Sequence, residues 1–169
     1  ETVNFSAEVA GTVSLILGDG DNVVDTDNLD DGASVSITMG AGDDEVTLMA
    51  AEAEDATIII DFGIGENTLI FDDDADISDS DVTLTGVDII QLADGEGAGA
   101  EAVIGSQAIT GKTIELQSVA AAGTFDATLQ VLVANGKSFD GGNITMSDSL
   151  NTGALGLDID LVDETDDTT

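Results

Sequence analysis

The chain contains no histidine, cysteine, proline, tryptophan or tyrosine, and its only basic residues are Lys112 and Lys137, against 36 acids. Without His or Cys there is no Ser-His-Asp triad, no thiol nucleophile, no imidazole base and no ordinary zinc site. Two-carboxylate chemistry on a sugar stays open in principle, but five Phe are the whole aromatic complement and supply no stacking platform. We therefore expect no enzyme. A formal charge of −34 over 169 residues repels phosphate backbones and anionic lipid surfaces, so neither a nucleic-acid partner nor direct membrane insertion is expected. No apolar run approaches the roughly 20 residues of a membrane-spanning helix. The missing cysteines exclude a disulfide framework and leave the compartment open.

What remains is a chain that should fold. Hydrophobic residues make up 42% of it, too many for the disordered class. Residues 1–161 are expected to form a single β domain, followed by an acidic tail or linker over 162–169. The sequence opens at Glu1, and we expect a processed or excised piece of a longer product. Runs of Val, Ile, Leu and Thr predict strands at 12–17, 35–39, 57–60, 68–71, 82–84, 89–92, 113–116, 129–133, 144–146 and 155–161. In Val35-Ser36-Ile37-Thr38-Met39 and Leu157-Asp158-Ile159-Asp160-Leu161 apolar residues alternate with polar ones, as in a strand with one dry face. Gly, Asp, Asn and Ser fill the gaps as turn formers. Only 50–56 and 118–122 are helix-tolerant, so the class is all-β.

An internal repeat organises these strands. Gly18-Asp19-Gly20-Asp21-Asn22-Val23-Val24, Gly40-Ala41-Gly42-Asp43-Asp44-Glu45-Val46 and Gly63-Ile64-Gly65-Glu66-Asn67-Thr68-Leu69 share one pattern: Gly, any, Gly, acid, Asp or Asn, any, apolar. Fainter copies place Ile90, Ile114 and Phe139 at the apolar position, and these last two set Lys112 and Lys137 at equivalent places. A period in the low twenties is about one coil of a β-solenoid, and we expect about six rungs of 21–25 residues, with a β-sandwich as the alternative. The absence of proline suits strands hydrogen-bonded on both sides.

Over residues 17–69 these turns resemble the calcium-binding repeats-in-toxin nonapeptides of secreted bacterial toxins, proteases and surface-layer proteins, Gly-Gly-x-Gly-x-Asp-x-apolar-x. The resemblance implies glycine turns whose carbonyls and Asp side chains enclose Ca²⁺, with the Asp position held by Asn22, Asp44 and Asn67 and the apolar position by Val24, Val46 and Leu69. The family's first glycine is replaced by Leu17, Met39 and Phe62, and its coil of two nonapeptides is shorter. Asp19, Asp21, Asp43 and Glu66 add hard oxygen donors, expected to stack about 5 Å apart on successive rungs. At that distance a like-charge pair costs roughly 3 kcal/mol at an effective dielectric of 20, and a divalent cation would offset it. Asp72, Asp74 and Asp76 form a second candidate cluster by their alternate spacing, although Ile77 stands where a calcium loop has glycine. The acid run 25–32 lacks EF-hand spacing, and the Thr-rich faces show no regular Thr-x-Thr column.

The expected function is structural: a surface-layer, filament or matrix subunit, extracellular or at the cell surface, that folds and self-associates in a Ca²⁺-dependent way. The alternative is a calcium-stiffened spacer or binding domain within a larger secreted adhesin. A halophile's general charge adaptation is the rival explanation for the acids.

Overall fold

Alternation decides which side of each strand is dry. In Ser34–Thr38 (β4), Val35 and Ile37 are buried while Ser34, Ser36 and Thr38 face outward, and Thr57–Asp61 (β6) repeats this with Ile58 and Ile60 inside. In the computed structural model such strands are joined in parallel, each to the strand one coil on, which makes the chain a β-solenoid and sets the sandwich aside. The structure describes residues 1–5, 11–27, 32–49, 56–72, 75–77, 81–94, 100–120, 127–134, 137–147 and 155–162.

Three sheets form the faces. A seven-stranded long sheet contains β1 (Thr2–Phe5), β3 (Val23–Asp27), β5 (Glu45–Met49), β7 (Thr68–Asp72), β10 (Ile89–Asp94), β12 (Ile114–Ala120) and β14 (Ile144–Ser147). A four-stranded companion serves the N-terminal half: β2 (Thr12–Ile16), β4, β6 and β9 (Asp81–Thr85). A second four-stranded companion serves the C-terminal half: β8 (Ala75–Ile77), β11 (Ala100–Gly105), β13 (Ala127–Ala134) and β15 (Leu155–Val162). The turn count differs from the six expected, because the long sheet is seven strands deep while either companion closes only about four turns.

The stacked apolar positions of the long sheet are Val3, Val24, Val46, Leu69, Ile90, Leu116 and Met146. The repeat was therefore aligned correctly as far as Ile90; beyond it, Leu116 and Met146 hold the places expected of Ile114 and Phe139. The coil widens there because a one-turn helix, α1 (Ser106–Ile109), replaces a strand of the first companion and packs on β9. The chain at 137–143 lies over that helix: Asp140 donates its N–H to Thr110 Oγ1 at 2.8 Å, and Gly111 donates to the Asp140 carbonyl at 3.0 Å. Lys112 Nζ reaches the Leu84 carbonyl at 2.7 Å and so covers an edge acceptor of β9. The helix-tolerant segment 118–122 is strand through Ala120, whereas 50–55 lies outside the described residues.

Between the sheets runs one continuous core, with Ile37, Leu48, Ile58, Ile60, Phe62, Leu69, Phe71, Ile90 and Ile104 fully buried. Each such side chain contributes about 1.5–3 kcal/mol relative to exposure. Met39 and Phe62, two of the residues standing where the resembled family has its first glycine, belong to this core, and Leu17 packs against it.

Candidate functional site

Three successive turns, 18–22, 40–44 and 63–67, stack at one corner of the solenoid, immediately before β3, β5 and β7. Gly20 donates to the Ala41 carbonyl at 2.6 Å, Gly42 to Ile64 at 2.9 Å, and Ile64 back to Gly40 at 3.1 Å. Glycine is required where these turns touch. At Gly63 φ is +77°, and a Cβ there would collide with the Gly40 carbonyl oxygen; one on Gly65 would strike that of Gly42.

Inside the corner runs a ladder of Asn22, Asp44 and Asn67, which are 2%, 1% and 0% exposed. Asp44, Asn67 and, one coil further on, Asp88 each use one side-chain oxygen to accept the backbone N–H of the ladder residue before it. Asn22 N–H donates to Asp44 Oδ1 at 2.9 Å, Asp44 N–H to Asn67 Oδ1 at 3.0 Å, and Asn67 N–H to Asp88 Oδ2 at 3.1 Å. The asparagines turn their amides onto turn carbonyls: Asn22 Nδ2 donates to Gly18 and Gly20 at 3.0 and 2.7 Å, and also to Asp44 Oδ1 at 2.9 Å. Asn67 Nδ2 donates to Gly65 and Gly86 at 3.4 and 2.9 Å. Asp44 has no amide to offer, and its buried Oδ2 has no hydrogen-bond partner among the described residues.

Outside the ladder stands a row of exposed acids. Asp21 Oδ1 accepts the N–H of Asp43 at 3.0 Å, Asp43 Oδ1 that of Glu66 at 2.9 Å, and Asp19 Oδ1 that of Ala41 at 3.0 Å. Each bond places a carboxylate against the next turn's backbone dipole, which offsets part of the repulsion between neighbours one strand spacing apart. The structure thus brings Asp19, Asp21, Asn22, Asp43, Asp44, Glu66 and Asn67 to one corner. The second cluster does not join it. Asp72 closes β7, about 16 Å of strand from Asn67; Asp76 lies on β8 in another sheet; and Asp74 lies outside the described residues.

Asp88, which accepts from Asn67, and Gly86, whose carbonyl takes the Asn67 amide, join the corner without being marked by the sequence pattern, because this turn keeps only one glycine and one acid of the motif. Glu1 continues the column at the other end: its carbonyl accepts from Val23 at 2.8 Å and its backbone nitrogen donates to Asp21 O at 2.9 Å. Among the described residues no group of three or more acids is gathered as a metal cluster. Comparison with protein-family models, curated proteins and solved structures finds no match to the chain.

Proposed function

We propose that the chain is a non-enzymatic structural segment of an extracellular or cell-surface protein, a surface-layer, filament or matrix component whose folding and assembly depend on Ca²⁺. The observation supporting this reading is the row Asp21, Asp43 and Glu66, one acid per coil beside glycine turns. Each aspartate spends one oxygen on a backbone N–H and keeps a second for a cation. Ca²⁺ at 2.3–2.6 Å from its ligands, completing its shell with water, suits carboxylates stacked at a strand spacing of about 4.8 Å. Removing the ion leaves the charges to repel along the column, and millimolar Ca²⁺ outside a cell would restore compaction.

A melting series in chelator, Ca²⁺, Mg²⁺ and NaCl tests the reading. Ca²⁺ at millimolar concentration should raise Tm above the value in NaCl of equal ionic strength. Asp21→Asn with Asp43→Asn, which keeps the N–H acceptors but removes the charges, should shrink that gain. Equal protection by NaCl and Ca²⁺ would favour general charge adaptation. Sedimentation across a concentration series in Ca²⁺ then tests assembly.

The alternative, a calcium-stiffened spacer or binding domain in a larger adhesin, gains from the inequality of the two ends. Among the described residues the edge strands on the N-terminal side are β1 and β2, and those on the C-terminal side β14 and β15. Head-to-tail stacking of identical copies would continue the long sheet but would set edges of different companions against each other. Unpaired edges that do not match are better covered by other segments of the same chain. A chain that stays monomeric in millimolar Ca²⁺ at all concentrations would select the spacer.

A further inference from the structure

Asp44 is the exception in its ladder. At the levels of Asn22 and Asn67 the corner is neutral and the glycine carbonyls receive an amide. At the level between them a carboxylate is 1% exposed, its Oδ1 is taken by Asn22, and its Oδ2 is left without a donor among the described residues. By the pattern of Asn22, which donates to the carbonyls two and four residues back, the groups owed a partner at this level are the carbonyls of Gly42 and Gly40. Gly40 O already accepts from Ile64 N–H, but a carbonyl has two lone pairs. An unpaired carboxylate among carbonyl oxygens is a costly arrangement to bury, and it calls for positive charge.

We propose that Asp44 Oδ2, with the glycine carbonyls of its turn, holds one sodium ion, in place of the Ca²⁺ that the sequence resemblance implies at this residue and apart from the outer row of Asp21, Asp43 and Glu66. Size and charge select the ion. Oxygens converging from one turn of five residues suit a small cation, with contacts of roughly the 2.3–2.6 Å of calcium–oxygen bonds. Sodium has nearly calcium's ionic radius, and potassium is larger. The level carries a single buried negative charge, which one monovalent ion neutralises. Ca²⁺ would leave a positive charge enclosed, because the neighbouring acids Asp21 and Asp43 stand exposed outside the ladder and, among the described residues, no group of three acids is gathered.

The test is a set of melts with chelator present throughout, in NaCl, KCl and choline chloride of equal ionic strength, on the wild-type chain and on Asp44→Asn. With Na⁺ at ten times its dissociation constant, the wild type should melt about 3–6 °C higher than in choline, with KCl close to choline. Asp44→Asn supplies the missing amide, so it should fold, melt at or above the wild-type value in choline, and lose the sodium increment. Equal wild-type melting in NaCl and choline would overturn the proposal, as would a sodium increment that survives Asp44→Asn. Equal protection by all three salts would assign the effect to screening and likewise overturn it. Calcium is then added to chelator-free samples. Loss of the calcium response with the sodium increment intact removes the proposed function alone, and the reverse removes only the sodium site.

Discussion

Replacing Gly63 with alanine tests the stacking that builds the corner. The substitution meets two separate obstacles. The backbone at Gly63 is left-handed, which costs a side-chain-bearing residue about 1–2 kcal/mol. The new Cβ would also collide with the Gly40 carbonyl, so the two turns must part, weakening the bonds from Ile64 to Gly40 (3.1 Å) and from Met39 to Asp61 (2.8 Å). At a net worth of about 1 kcal/mol for each weakened bond, the total is roughly 3 kcal/mol. In a chain of this length that lowers Tm by about 6–12 °C, read by far-ultraviolet circular dichroism in a fixed salt. Gly18→Ala is the control. It has the same place in its turn, no positive φ, and nothing within 4 Å of a Cβ, and should stay within about 0.5 kcal/mol of wild type. Equal melting of the two variants would refute the stacked arrangement of turns.

Asn67→Ala removes the acceptor of Asp44 N–H and the donor to Gly65 and Gly86, and should cost about 3 kcal/mol or more in a denaturant titration. Asn67→Asp keeps the acceptor but buries a second carboxylate beside Asp44, so it should melt lower in choline and shift its strongest protection from Na⁺ to Ca²⁺. Lys112→Met keeps the aliphatic stem and loses the bond to the Leu84 carbonyl. With Lys112 only partly buried, a loss of about 1 kcal/mol is expected, and hydrogen exchange should speed up locally in β9.

The early coils were legible because one short pattern did several tasks in register. Paired glycines permit the turn contact, the following Asn or Asp makes the ladder, and Val24, Val46 and Leu69 start the dry side of the long sheet. In the turn before Ile90 the pattern thins to a lone Gly86 with Asp88, and past Ile90 the inserted helix moves the register by an amount that no local signal encodes. Ala100–Gly105 escaped prediction because its Ala and Glu favour helix; its place as a strand comes from pairing with β8 and β13 on either side. Val23–Asp27 and Glu45–Met49 escaped because their short apolar runs follow directly on the acid-rich turns and read as part of them, yet alternation leaves the inner residues Val24, Thr26, Val46 and Leu48 fully buried. The site was legible as a set of residues at one corner. Its inner chemistry was not, because composition marks Asn and Asp alike as turn formers, and only the ladder shows that one is satisfied where the other is not.

The exchange of companion sheets also shapes how the chain would bear a load. The coil of β7, β8 and β9 is the one with strands on all three faces among the described residues, and the two companions overlap only there. Pulled apart along the solenoid axis, each end can shed coils singly, since a terminal coil is held by its single inner neighbour. A coil of about 22 residues releases roughly 75 Å of contour length, so an extension trace would climb in steps of that size. The two peeling fronts would meet at the shared coil, whose three strands must separate together, making it the mechanical clamp of the column.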